Sequence, residues 1–137
     1  MKRRKAREYA LQLLFQVDFT ERKIDKEGLE EFWSDKKDNK KDVRNFTEEI
    51  VFGTLDKLDE IDKMIEKFTE NWALKRMAAV DRNILRFAAY EIIYRKDIPS
   101  AVTINEALEI AKKFSSSESA SFLNGILDRL AKEAGKV

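Results

Sequence analysis

The chain has 137 residues, of which 27 are basic and 26 acidic, so its formal net charge at pH 7 is only +1. It contains neither cysteine nor histidine, which excludes disulfides, thiolate nucleophiles, histidine-dependent catalytic triads and zinc hydrolase sites. An apolar content of 43%, with four glycines and one proline, favours a folded helical chain over a disordered or β-rich one.

Positive charge is concentrated at the start of the chain. Five of the first seven residues are basic and none is acidic, whereas the rest of the chain has 22 basic against 26 acidic residues. Apolar residues then recur at helical spacing from Ala6 to Val17, and Phe15 widens the apolar arc. This pattern predicts a first helix that is buried over most of its girth. Residues 1–5 are expected to form a flexible basic arm in front of it.

The next predicted elements are shorter and separated by a polar stretch. A short helix is predicted around residues 25–33, and the run SDKKDNKKD at residues 34–42 is typical of a solvated loop. Apolar residues between Val43 and Phe68 predict one long helix or two consecutive helices. Trp72 is expected in the connection that follows.

The most apolar segment is AAVDRNILRFAAYEIIYRKD, residues 78–97, which predicts the central helix of the protein. The following Ile98-Pro99 interrupts this helix, because the residue before a proline avoids the helical conformation. Thr103 and Glu106 have the spacing of a capping box, which predicts the start of the next helix.

A polar loop at residues 115–119 is predicted to precede the last helix. Gly125 lies inside that helix, where it costs about 1 kcal/mol relative to alanine, so we expect it to pack closely against another helix. Gly135 is predicted to cap the end. The fold class is therefore expected to be all-α: a compact single-domain bundle of about six or seven helices over residues 1–137.

No segment is typical of membrane insertion, export or catalysis. No apolar run approaches the roughly 20 residues of a membrane helix, and the basic start lacks a signal-peptide core, so a cytoplasmic protein is expected. There is no glycine-rich phosphate loop, no GxSxG sequence and no ligand cluster. Carboxylates fall on predicted solvent faces beside lysine or arginine. We therefore expect no enzyme activity, no cofactor and no metal.

The basic start of the chain is the strongest functional signal. It leads directly into a helix, whose dipole disfavours each cation there by about 0.3–1 kcal/mol at low salt, so local stability does not explain it. Arginine binds phosphates with two parallel hydrogen bonds, and the pattern favours a nucleic-acid backbone as ligand. A solubilising tail and a membrane-surface anchor are the alternatives, and an anchor would need exposed bulky apolar residues near the charges.

A second candidate is the polar loop between Phe114 and Phe122. Phenylalanines at helical spacing are most often core residues, and that interpretation is favoured for both. The alternative is that one of them faces outward and stacks on an unpaired base, since single strands are bound in this way. Phe68, before a charged connection, raises the same question.

Several segments taken together resemble the NusB family of transcription antitermination proteins. They are AREYALQLLFQ, VDRNILRFAAYEI, IPSAVTINEALEIAKKF and SFLNGILDRL, in the family's order and spacing. The resemblance implies an all-helical RNA-binding protein without catalytic activity. Such a protein binds single-stranded boxA-type leader RNA together with the small-subunit ribosomal protein that acts as NusE. It then joins other Nus factors and RNA polymerase to support ribosomal RNA transcription.

The resemblance also implies which residues act. The residues whose positions match the family's RNA contacts are Lys2, Arg3, Arg4, Arg7, Phe68, Phe114, Glu118 and Phe122. The residues expected to face the protein partner are Arg76, Met77 and Asp81. At position 118 this chain has glutamate where the family commonly has a shorter acid, so the charge is kept but the reach differs.

Two other functions remain open at this point. One is a protein-binding adaptor that makes no direct contact with RNA. The other is an RNA-binding module that acts with a separately encoded RNA methyltransferase. A homodimer that covers the RNA-binding face is also compatible with the helical pattern.

Overall fold

A computed structural model describes residues 2–69 and 73–135, and in these two ranges the chain forms seven α-helices, one short 3-10 turn and no strand. None of the seven helices in these ranges is both long and apolar enough to cross a membrane. The predicted all-α fold is confirmed, while Trp72 lies outside the described residues. In chain order the elements are α1 (Arg3–Thr20), α2 (Lys26–Ser34), α3 (Lys41–Asp56), α4 (Leu58–Glu66), the 3-10 turn (Leu74–Arg76), α5 (Ala79–Tyr94), α6 (Ser100–Phe114) and α7 (Ser117–Glu133).

Helix α5 lies at the centre of the bundle, as its apolar sequence predicts. It packs against α1, α3, α4, α6 and α7. Ile84, Leu85, Phe87 and Ile92 have no exposed surface, and burial of each such side chain stabilises the fold by about 1.5–3 kcal/mol. The ends of the other helices are therefore held in fixed positions around α5.

The start of α1 differs from the expected flexible arm. The helix begins at Arg3, and the N–H of Ala6 donates to the carbonyl of Lys2 at 3.0 Å, so residues 3–5 form the first helical turn. Met1 lies outside the described residues. Acidic partners account for the difference: Lys2 pairs with an aspartate and Arg4 with a glutamate, which offsets the repulsion between these cations and the helix dipole.

The predicted capping box at the start of α6 is wrong. The helix already begins at Ser100, and Thr103 is buried in its first turn. The hydroxyl of Thr103 donates to Oε1 of Glu91 at 2.9 Å, while the carboxylate of Glu106 accepts from Arg4. Both side chains are therefore used in contacts between helices and not in a local cap.

Helix α7 begins earlier than the sequence pattern suggests. The hydroxyl of Ser116 accepts a hydrogen bond from the N–H of Ser119 at 3.0 Å, so most of the loop predicted over residues 115–119 is the first turn of the helix. A Cβ at Gly125 would have no neighbour within 4 Å, so its predicted close packing is also wrong. Gly135, with φ of +74°, ends the helix as predicted.

Candidate RNA and partner interface

The exposed basic end of α1 is the first candidate surface. Lys2, Arg3 and Arg4 are exposed and Lys5 is half-buried; these four residues are called the basic end. The Arg3 guanidinium lies 4.6 Å from the centroid of the Phe46 ring, which orients it without neutralising its charge. The structure thus brings three of the predicted phosphate-binding side chains together where a polyanion can reach them.

Acidic side chains already engage part of the basic end. Nε and Nη2 of Arg4 donate to the carboxylate of Glu106 at 3.0 and 2.6 Å, and this hydrogen bonding lowers the pKa of Glu106. Nζ of Lys2 donates to Asp38 at 2.8 Å and lowers the pKa of that carboxyl in the same way. Exposed ion pairs contribute little to stability, so a phosphate can replace these partners.

Arg7 does not belong to this surface. Its side chain is 1% exposed, and its Nε and Nη2 donate to the two carboxylate oxygens of Glu91 at 2.8 and 2.7 Å. Glu91 is itself fully buried. The prediction that Arg7 contacts RNA phosphates is wrong, because the helical repeat places it on the inner face of α1, between the buried Ala6 and Ala10.

A groove of about 470 Å³ lies between the start of α5 and the start of α7. It is called the α5–α7 groove, and the residues that line it are Arg76, Met77, Ala78, Asp81, Glu118, Ser119 and Phe122. The groove brings the three residues predicted to face a protein partner next to two of those predicted to contact RNA. Phe68 and Phe114 are not among its lining residues.

The chemistry of the α5–α7 groove suits a planar ligand with hydrogen-bond donors. Phe122 is 42% exposed and offers a ring face. Oδ2 of Asp81 accepts from the hydroxyl of Ser119 at 3.0 Å, whereas Oδ1 of Asp81 is buried and has no hydrogen-bond partner among the described residues. Within the described ranges, no group of acidic side chains is arranged to hold a metal ion. The carboxylate that a ligand can reach is that of Glu118, which is exposed, so the groove can stack a ring and accept a hydrogen bond.

The three candidate phenylalanines have different surroundings. Phe114 and Phe122 are 41% and 42% exposed, so the favoured interpretation of both as core residues is wrong. Phe68 is half-buried and packs against the core. Only the first two have a ring available for stacking on a base, and they lie at the end of α6 and near the start of α7.

Sequence reasoning missed a link between the basic end and these phenylalanines. Nζ of Lys113 lies 3.1 Å from Oε1 of Glu8, and Nζ of Lys5 lies 3.6 Å from the same oxygen. Nζ of Lys113 also lies 5.2 Å from the centroid of the Phe114 ring. Lysines in the last turn of a helix are ordinary partners of its dipole, so the pattern alone gave no functional signal.

A separate apolar feature lies towards the C-terminal end of α1. Phe15 and Phe19 are 38% and 81% exposed, and their rings stack with centroids 6.4 Å apart. The prediction that Phe15 belongs to the buried arc is therefore wrong. Exposed aromatic pairs of this kind are typical of protein contact surfaces.

Known proteins share both the sequence and the fold of this chain. The NusB family model matches residues 4–132. Transcription antitermination protein NusB from Thermodesulfovibrio yellowstonii is 50% identical over 141 residues, covering 97% of this chain and 93% of that protein. A structure of NusB from T. maritima superposes with a TM-score of 0.87 at 40% identity, over 97% and 92% of the two chains. A chain from a crystal structure of the antitermination factors NusB and NusE in complex with dsRNA superposes with a TM-score of 0.85 at 26% identity, over 97% and 99%.

Proposed function

Because the chain belongs to the NusB family, we propose that it binds boxA-type leader RNA together with the ribosomal protein NusE, as a transcription antitermination factor without catalytic activity. A chain of the solved complex of NusB and NusE with dsRNA has the same fold as this chain. That complex supports RNA and NusE as the two ligands. In this role the protein joins other Nus factors on RNA polymerase and supports ribosomal RNA transcription. A protein that binds a nascent transcript together with a ribosomal protein acts in the cytoplasm.

The basic end provides the attraction that does not depend on RNA sequence. Lys2, Arg3 and Arg4 project from one helical turn, so they can follow a phosphate backbone. Asp38 and Glu106 orient Lys2 and Arg4 in the free protein, and phosphates replace these carboxylates when RNA binds. Lys113 extends the positive surface towards Phe114 and so connects phosphate contacts with base contacts.

The α5–α7 groove provides the selective contact, and it is the observation that carries the proposal. Stacking of a base on Phe122 contributes about 1–3 kcal/mol. Glu118 at the rim accepts hydrogen bonds from exocyclic amines of the bases. Arg76, Met77 and Asp81 line the opposite side. Because Met77 is buried, the exposed Arg76 and the half-buried Asp81 face NusE, and the RNA and the protein partner meet along one groove.

The decisive experiment is a binding titration with boxA-type RNA, in single-stranded and double-stranded form, with and without NusE over a salt series. We expect single-stranded RNA to bind, NusE to tighten binding, and affinity to fall as salt rises. A scrambled RNA of the same length is the control for sequence preference. Absence of RNA binding under every condition would contradict the proposal.

The exposed Phe15–Phe19 pair favours a second candidate function, a protein-binding adaptor that makes no direct RNA contact. An adaptor would bind NusE through this apolar surface and would cause no RNA mobility shift at moderate salt. Loss of NusE binding in a Phe19→Ser variant would assign the pair to the protein partner, and RNA binding by the same variant would contradict the adaptor function. It would leave the α5–α7 groove as the RNA site.

A further inference from the structure

One wall of the α5–α7 groove is a loop with few hydrogen bonds of its own. Residues 73–78 form a single 3-10 turn followed by extended backbone. Within it, the N–H of Arg76 donates to the carbonyl of Ala73 at 2.9 Å, and the N–H of Met77 donates to that of Leu74 at 3.1 Å. Two such bonds are a weak constraint on a segment that must present side chains to a ligand.

Arg82 of α5 supplies the missing constraint. Its Nη1 donates to the carbonyl oxygens of Leu74, Lys75 and Met77 at 3.3, 3.2 and 3.0 Å. Its Nε and Nη2 donate to Oδ2 of Asp18 on α1 at 2.9 and 2.8 Å. The guanidinium does not line the groove; it lines a separate polar cavity that it shares with Asp18. It therefore holds the loop without competing for the ligand.

We infer that Arg82 is a positioning residue for the α5–α7 groove, which fixes the loop that presents Arg76 and Met77. The inference rests on the proposed function, because it assigns a cause to the shape of that site. Arginine suits the task, since the five N–H donors of its planar guanidinium can bind three carbonyl oxygens and a carboxylate at the same time. A lysine ammonium has three donors on one atom and cannot span them.

The two walls of the groove are anchored independently. The wall from α7 is tied to α5 by the hydrogen bond between Ser119 and Asp81. The loop wall is tied to α5 through Arg82, and Asn83 donates to the same oxygen of Asp18 at 3.0 Å, which fixes the acceptor. Loss of Arg82 should therefore loosen one wall of the groove and leave the other wall and the basic end unchanged.

Arg86 provides a matched control on the same helix. Its side chain is 12% exposed, against 14% for Arg82. Its Nε and Nη2 donate to the two carboxylate oxygens of Asp62, both at 2.9 Å. Its Nη1 also lies 3.6 Å from Oδ2 of Asp18, so the two arginines share this anchor. Among the hydrogen bonds of the described residues, however, none joins Arg86 to residues 73–78. Replacing either arginine by lysine removes one guanidinium next to Asp18 at equal charge and similar burial, but only the Arg82 replacement removes direct hydrogen bonds to the loop.

The test compares full-length Arg82→Lys and Arg86→Lys in amide hydrogen exchange and in binding of single-stranded boxA-type RNA with NusE. We expect Arg82→Lys to speed exchange at Arg76 and Met77 and to weaken binding, each by about tenfold. The salt slope of binding should not change, because the basic end is intact. Arg86→Lys should match the unmodified protein in both measurements at a similar loss of thermal stability.

The other outcomes of this test overturn either the role of Arg82 or the proposed function. Equal loop exchange in the two variants would overturn the inference, as would faster exchange with unchanged affinity. If Arg82→Lys does not fold, Asp18→Asn replaces it, because it keeps the guanidinium but removes its charged anchor; normal loop exchange and normal affinity there would overturn the inference. Failure of the unmodified protein to bind RNA would overturn the proposed function, while the exchange data would still decide whether Arg82 holds the loop.

Discussion

Arg4 and Arg7 lie three residues apart on α1, and the tertiary structure gives them different tasks. Half of the Arg4 side chain is exposed, and it pairs with a surface glutamate. Arg7 is enclosed and forms two hydrogen bonds with the fully buried Glu91. An exposed pair of this kind contributes at most about 1 kcal/mol and exchanges readily, whereas removal of one partner from a buried pair costs about 3–5 kcal/mol.

The buried pair is tested by Glu91→Gln. This change leaves the Arg7 guanidinium charged and without its carboxylate, so we expect the free energy of unfolding to fall by about 3–5 kcal/mol. Denaturant unfolding measures the loss. Lys2→Ala, which removes an exposed ion pair, is the control and should change stability little. If Glu91→Gln weakened RNA binding without affecting stability, Arg7 would have to be a ligand-binding residue after all.

Phe122 is the second residue whose task depends on exposure. We expect Phe122→Ala to weaken RNA binding by about 1–3 kcal/mol, since the ring on which a base stacks is removed. Stability should change little, because the ring is 42% exposed. The fully buried Phe87→Ala is the matched control, with an expected loss of about 3–5 kcal/mol in unfolding free energy. A core-sized loss of stability in Phe122→Ala, at unchanged affinity, would show that the ring is structural.

At the scale of elements, helices α3 and α5 approach each other closely at Gly53. A Cβ at this position would overlap the ring of Tyr90, which in turn stacks on Tyr94 with centroids 5.6 Å apart. The absence of a side chain at Gly53 lets α3 lie flat against the central helix. Gly125 on α7 has no such neighbour, so the close approach that explains Gly53 does not explain Gly125.

Alanine substitutions at the two glycines should therefore have opposite effects. Gly53→Ala forces the Tyr90 ring away, and we expect it to lower the free energy of unfolding by about 1 kcal/mol or more, despite the better helix propensity of alanine. Gly125→Ala should raise that free energy by about 0.5–1 kcal/mol, because it only reduces the freedom of the unfolded chain. Thermal or denaturant unfolding of the two variants measures both. Stabilisation by Gly53→Ala would contradict the close approach.

At the scale of the whole molecule, the distribution of charge matters more for RNA binding than the net charge does. The net charge of +1 would attract RNA only weakly. The basic end, extended by Lys113, concentrates cations on one side, and the α5–α7 groove follows it through Phe114 and the start of α7. A nearly neutral protein can thus present a local polyanion site while the remaining surface stays mixed in charge.

The salt dependence of RNA binding tests this distribution. Arg3→Ala with Arg4→Ala should make the negative slope of log K against log salt shallower by about 1.4 for single-stranded RNA, roughly 0.7 for each phosphate that is no longer neutralised. Arg22→Ala with Lys23→Ala removes the same charge from exposed positions just after α1 and should leave the slope unchanged. Equal slopes in the two double variants would show that only net charge matters.

The helical repeat, the apolar central segment and the family signatures determined the fold class, most helix positions and the kind of ligand, because these depend on local spacing and composition. Only the tertiary structure decided that Arg7 faces inward, that Phe122 is half-exposed and that Thr103 binds Glu91 in place of a local cap. Helical spacing gives an apolar or polar arc but not the depth to which a neighbouring helix covers it. The α5–α7 groove has the same origin: Asp81 and Ser119 meet because α7 packs back onto α5, and no local pattern encodes that contact.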